Sequence, residues 1–164
     1  QPERYTRLLV MNTGLGLGTV TEGFKQWRAY ANSQPDLACG KLIQRGTPGM
    51  TAEEAAAYDA PFPEERYKEA ARQLPSLVPI SPDSEAAGAN RRAWEGLRAW
   101  EQPFLLAFTD SDPITAGADR PFLKLVPGAQ GLPHTTIEGA GHFVQEDAGP
   151  ELARIVIDLI ERTP

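Results

Sequence analysis

The sequence predicts an α/β fold: a parallel sheet flanked by helices and interrupted by an all-helical insertion. Three observations carry this expectation. Short apolar runs without polar alternation read as strands buried on both faces, amphipathic segments alternate with them towards the C-terminus, and a long proline-broken stretch separates the first run from the second.

The first run, Arg7-Leu8-Leu9-Val10-Met11-Asn12, stops at Asn12 and Gly14. The second, Pro103 to Thr109, and the third, His134 to Glu138 before Gly139, have the same character. A helix is expected from Ala118 to Leu125, ending at Pro127-Gly128, and another from Glu151 to Arg162. In the latter, Leu152, Ile155, Val156, Leu159 and Ile160 recur at helical spacing and should form one core-facing stripe. Strand, helix, strand, helix is the repeat of a doubly wound sheet. Between Gly14 and Ser84 the chain is helix-prone but broken by prolines, Pro75 among them, and it has no convincing strand. Function gathers beyond the carboxyl ends of the strands in such sheets, so an insertion leaving there would roof the site. The expected division is residues 1–13 as a core strand, 14–85 as a helical cap and 86–164 as the C-terminal core. With one strand before the cap and few after it, Leu8–Met11 and Leu105–Phe108 are expected to present unpaired edges.

Composition narrows the function classes. The chain has 164 residues, a 41% apolar share and 16 Lys+Arg against 22 Asp+Glu, which suits one globular domain and leaves no basic run for phosphates or anionic lipid. No nucleic-acid or membrane partner is therefore expected, and no apolar run approaches the roughly 20 residues of a membrane span. The single Cys39 cannot form an internal disulfide, and one Cys with two His gives no metal-ligand spacing. A structural thiol and a cytoplasmic location follow as expectations.

Two strand ends carry groups that could do chemistry. The second strand runs into Thr109-Asp110-Ser111-Asp112-Pro113, and the third into Gly139-Ala140-Gly141-His142. An acid after one strand and a histidine after the next, about 30 residues on, can meet above a sheet. There the carboxylate fixes the imidazole tautomer and stabilises its protonated form. Asp112 is preferred to Asp110, because Pro113 fixes its loop and Asp110 could serve its own turn. A nucleophile elbow needs a side chain centred between two glycines four apart. The only such pair, Gly14 and Gly18, encloses Gly16, so this segment reads as a flexible entry to the cap and no nucleophile is found in the chain.

Beyond these residues the sequence resembles a family, the haloalkane dehalogenases of the α/β-hydrolase fold, in the dichloroethane-type subfamily and over the C-terminal half only. The resemblance rests on Gly139-Ala140-Gly141-His142-Phe143-Val144-Gln145-Glu146, on Ala57-Tyr58-Asp59-Ala60-Pro61-Phe62-Pro63 with Tyr67, and on Gly23-Phe24-Lys25-Gln26-Trp27. It implies His142 as the catalytic base, Asp112 as its acid, Trp27 as a halide-binding donor and Phe24 as a wall of the substrate pocket. The nucleophilic aspartate, the second halide-binding tryptophan and the oxyanion hole would lie in a missing N-terminal half. The implied partners are a small halogenated alkane, water and halide, without metal or organic cofactor, and the isolated chain should be inactive.

Indole N–H suits a departing halide, because it donates a hydrogen bond without giving up its proton and carries a large apolar body. Epoxide hydrolase or esterase chemistry on the same fold, or a non-catalytic remnant, are the alternatives. An epoxide hydrolase would draw on a cap tyrosine, for which Tyr30, Tyr58 and Tyr67 are available. Trp94, Trp100 and His134 are expected to be structural.

Overall fold

A computed structural model gives the structure of residues 2–163. Its base is a three-stranded sheet in the order β1-β2-β3, with β1 at Leu8–Val10, β2 at Phe104–Thr109 and β3 at Thr135–Ile137. Both pairings are parallel. β1 registers with Phe104–Leu106, while β3 registers with Ala107–Thr109. Between β1 and β2 run α1 (Glu22–Ser33), α2 (Cys39–Gly46), α3 (Ala52–Asp59), α4 (Glu69–Leu77) and α5 (Glu85–Arg98). The crossover from β2 to β3 contains α6 (Asp119–Leu125), and α7 (Val144–Asp147) and α8 (Gly149–Arg162) follow β3.

The two faces of β2 separate the core in two. Phe104, Leu106 and Phe108 pack with Trp94 and Trp100 and with Phe122 of α6, whose ring centroid lies 5.0 Å from Trp94 and 5.6 Å from Phe104. Ala107 faces the other way and joins Ile137, Val144 and Leu152. Burying side chains of this size contributes about 1.5–3 kcal/mol each, so this alternation is what seats helices on both faces. Trp94 also donates its indole N–H to the Leu15 carbonyl at 2.8 Å, and His134 is structural as expected. Its Nδ1 accepts from the Leu106 amide at 3.1 Å, which leaves Nε2 to donate to the Ala129 carbonyl at 2.7 Å.

Five expectations need correction. β1 is only half-buried, because one flank has no neighbour within the described residues. Leu105–Phe108 is not an open edge, since β2 is the central strand. On α8 only Leu152 and Leu159 are buried, whereas Val156 and Ile160 are exposed beside Ile157: the apolar stripe is wider than the surface these three strands offer. Pro75 does not break α4 but lies buried inside it, two residues before the helix ends at Leu77, and forgoes one backbone hydrogen bond there. The segment 14–18 is also anchored rather than loose. Asn90 donates to the Gly16 carbonyl at 2.8 Å, and Gly18, at φ +110°, passes so close to Ser81 and Pro82 that a Cβ would lie 2.2 Å from the Pro82 nitrogen.

The helices α1 to α4 form a layer over the carboxyl ends of the strands. α1 starts at Thr21, whose hydroxyl caps the Phe24 amide and donates to the Ile114 carbonyl at 2.7 Å. α3 starts with a capping box between Thr51 and Glu54, worth about 1 kcal/mol. A second seam joins the layer to the loop after β3: Gly46 lies so close to Gly141 that a Cβ there would sit 2.9 Å from the Gly46 carbonyl, and Tyr58 donates to Glu146. Among the described residues no helix is long and apolar enough to cross a membrane.

Candidate active site

Beyond β2 the chain turns sharply, and Asp112 is drawn under the turn with only 2% of its side chain exposed. Its Oδ1 accepts from the Ile114 amide at 2.7 Å, and its Oδ2 accepts from the Thr115 hydroxyl and from Nδ1 of His142, the latter at 2.9 Å. Burial alone pushes the carboxyl up, but the hydrogen bonds from His142, Thr115 and Ile114 outweigh it and hold Asp112 below the usual carboxylate range. An ionised carboxylate only accepts, so Nδ1 carries the proton and Nε2 keeps its lone pair. The pair is thus arranged as a base: a proton taken by Nε2 would create an imidazolium resting on a buried anion.

Asp110 takes a different place. It is exposed, and its Oδ1 accepts from the Gly139 amide and the Ser111 hydroxyl, both at 2.9 Å, so it ties the loop after β2 to the loop after β3. That second loop turns at Gly139, whose φ of +72° favours glycine, and it presents His142 edge-on to Phe143 with centroids 5.3 Å apart.

His142 opens into a cavity of about 710 Å³ between the sheet ends and the helical layer. Ser111, Pro113 and Phe143 line its floor, and Phe24, Trp27, Leu42 and Ile43 belong to its walls. Trp27 stacks on Tyr30 at 6.4 Å, and among the described residues its indole N–H has no hydrogen-bond partner. A cavity of this size with mainly apolar walls and one imidazole suits a small apolar molecule. Cys39 lines it too; the thiol is half-buried, 3.6 Å from the Leu37 carbonyl, and burial pushes its pKa up, so it is a poor nucleophile.

The three tyrosines do not line this cavity. Tyr30 lies behind Trp27 with Arg45 above its ring, Tyr58 is spent on Glu146, and Tyr67 is exposed beside Arg66. Three residues of the site escape sequence reasoning. Phe143 was legible only as part of a motif. Thr115 stands three residues after Asp112, the spacing at which a hydroxyl returns to a turn carboxylate. Asn12 reads as a strand stop, yet its side chain bonds the end of β2 and the loop after β3.

Several known proteins resemble the chain over nearly all its length. The chain is 43% identical to a haloalkane dehalogenase of Psychrobacter cryohalolentis over 99% of its own length and 55% of that protein's. It is 48% identical to one of Mycobacterium marinum over 92% of its length and 52% of that protein's. The chain therefore spans about half the length of the curated relatives it matches. No family model matches it. Among solved structures, a haloalkane dehalogenase of Paraglaciecola agarilytica superposes with a TM-score of 0.80 at 31% identity, covering 93% of this chain and 51% of that one. At 18% identity, E-2-(acetamidomethylene)succinate hydrolase shares the fold, with a TM-score of 0.58, 98% of this chain covered and 59% of that one. By sequence and by its α/β-hydrolase fold, the chain is similar to the haloalkane dehalogenases over about half of their length.

Proposed function

We propose that this chain is the acid-and-base half of a haloalkane dehalogenase, with residues 1–13 and 86–164 as core and 14–85 as cap, and that an N-terminal half joined before Gln1 supplies the nucleophile. The observation that carries the reading is the pair of buried Asp112 and half-buried His142 on the floor of an apolar cavity with Trp27 on its wall. The exposed stripe of Val156, Ile157 and Ile160 on α8 and the open flank of β1 are surfaces that the other half would cover.

The proposed chemistry has two steps. A carboxylate oxygen of the N-terminal half attacks the substrate carbon in line, and the carbon-halogen bond breaks with its electron pair going to the halide. The Trp27 N–H donates to that halide, and Phe24 packs against the alkyl chain. In the second step His142 Nε2 takes a proton from water while the water oxygen bonds to the ester carbonyl carbon. The carbon-oxygen bond to the alcohol breaks, the alcohol leaves with the proton from His142, and the carboxylate reforms after losing the other proton to solvent. Asp112 stabilises the imidazolium in between.

The test is halide release from 1,2-dibromoethane. The complete protein should turn over many times, and residues 1–164 alone should release nothing above the buffer rate. Turnover by the isolated chain, or none by the complete protein, sinks the reading. Among the described residues no tyrosine lines the cavity, which favours the dehalogenase reading over the epoxide hydrolase one.

A further inference from the structure

Asn12 stands where β1 ends, buried to 8% exposure and with φ +33°, a conformation that asparagine tolerates better than most side chains. Main-chain pairing of β1 with β2 stops at Val10 and Leu106, and the Asn12 side chain takes over from it. Its Oδ1 accepts from the Thr109 amide at 3.0 Å. Its Nδ2 lies 2.9 Å from the Gly141 carbonyl, 3.0 Å from the His142 carbonyl and 3.0 Å from the Thr109 hydroxyl. The Thr109 hydroxyl in turn reaches the Gly141 carbonyl at 3.1 Å. Carbonyl oxygens only accept and the Thr109 amide only donates, so the site requires a group that donates at one atom and accepts at the other.

We propose that Asn12 is a positioning residue for His142: one amide at the end of β1 holds the carbonyls of Gly141 and His142 and the end of β2, and so sets the imidazole against Asp112. The role rests on the dehalogenase reading only for its kinetic consequence. The carbonyls on both sides of the His142 backbone nitrogen and Cα are fixed, while Gly141 is also held through its amide by Asp147 at 2.8 Å. With Nδ2 removed, the His142 carbonyl loses its bond to the end of β1, and the Gly141 carbonyl keeps only the Thr109 hydroxyl. The base then samples positions in which Nδ1 leaves Oδ2. Misplacement of a catalytic group by about 1 Å costs about 100-fold in rate.

The variant is Asn12→Gly in the complete protein, since glycine accepts φ +33° without strain and deletes only the amide. Two readouts are taken. The first separates alkylation from ester hydrolysis in a single turnover of 1,2-dibromoethane. Attack on carbon does not use His142, so the halide burst should persist, while ester decay should slow about 100-fold. General loosening of the site would slow both, and an unchanged decay rate overturns the proposal. The second readout is the downfield proton resonance of His142 Nδ1–H, which should be lost or broadened in the variant and needs no substrate. If the unmodified protein releases no halide, the dehalogenase reading has failed, and the resonance decides the proposal by itself: its loss supports the role of Asn12, and its persistence overturns it. Should the glycine variant not fold, Asn12→Ala lacks the same amide and is read in the same way.

Discussion

Replacing Asp112 by asparagine changes almost nothing in shape and nearly everything in proton position. The oxygen of the new amide stays on the Ile114 amide, 2.7 Å away, because that donor accepts no alternative. The NH₂ group must then take the place of Oδ2, facing Nδ1 of His142 at 2.9 Å and the Thr115 hydroxyl, which can rotate to accept. Nδ1 becomes an acceptor, the ring proton moves to Nε2, and the lone pair that should take a proton from water is gone. In a hydrolase triad of known chemistry the same exchange lowers turnover about 10⁴-fold, equal to about 5.4 kcal/mol at 1.36 kcal/mol per tenfold. Stopped-flow halide detection on the complete protein should show one equivalent released at near the normal rate, followed by turnover slowed about 10⁴-fold. Steady-state turnover within about tenfold of the unmodified protein would refute the assignment of Asp112 to His142.

Other outcomes follow from the same geometry. Because the Asp112 carboxyl is held low, the stability it gives is complete above the ordinary aspartate value of about 3.9 and is lost as pH falls through its own lower value. Acid unfolding of Asp112→Asn should therefore depend less steeply on pH below about 4, and equal slopes would contradict this. A Cβ at Gly46 would meet the Phe143 ring at 3.1 and 3.2 Å, so Gly46→Ala should push that ring into the cavity. The KM for 1-bromohexane should rise about fourfold more than that for bromoethane, in line with about one methylene of lost space. At Gly128 a Cβ would stand 1.9 Å from the Gln102 carbonyl oxygen, so Gly128→Ala should lower the unfolding free energy of the complete protein by about 2–3 kcal/mol in urea titration.

The strands and helices of the core were legible because their signals are local. β2 carries six apolar or small residues in a row, and the stripe on α8 has an unbroken helical period. The cap was legible by exclusion, from the absence of strand patterns over many residues. What the sequence hid depends on partners far along the chain. Pro75 lies buried inside α4, and tertiary burial of this kind is what local propensity cannot weigh. The exposure of Val156 and Ile160 depends on how many strands stand beside α8, a property of the whole sheet. In the site, Asp112 and His142 stood out by residue type and by position after strands, whereas Asn12 did not. An asparagine after a strand has many uses, and only the folded chain shows its amide meeting residues about 100 and 130 positions away.

If this chain holds the base and a preceding half holds the nucleophile, the covalent intermediate must form outside residues 1–164. The complete protein with His142→Gln, which lacks the base for the second step, would be mixed with 1,2-dibromoethane, digested and mapped by mass spectrometry. One bromoethyl ester per molecule is expected, on a carboxylate before Gln1, and none on residues 1–164. An adduct on a carboxylate within those residues, or no adduct while halide is still released, would contradict it.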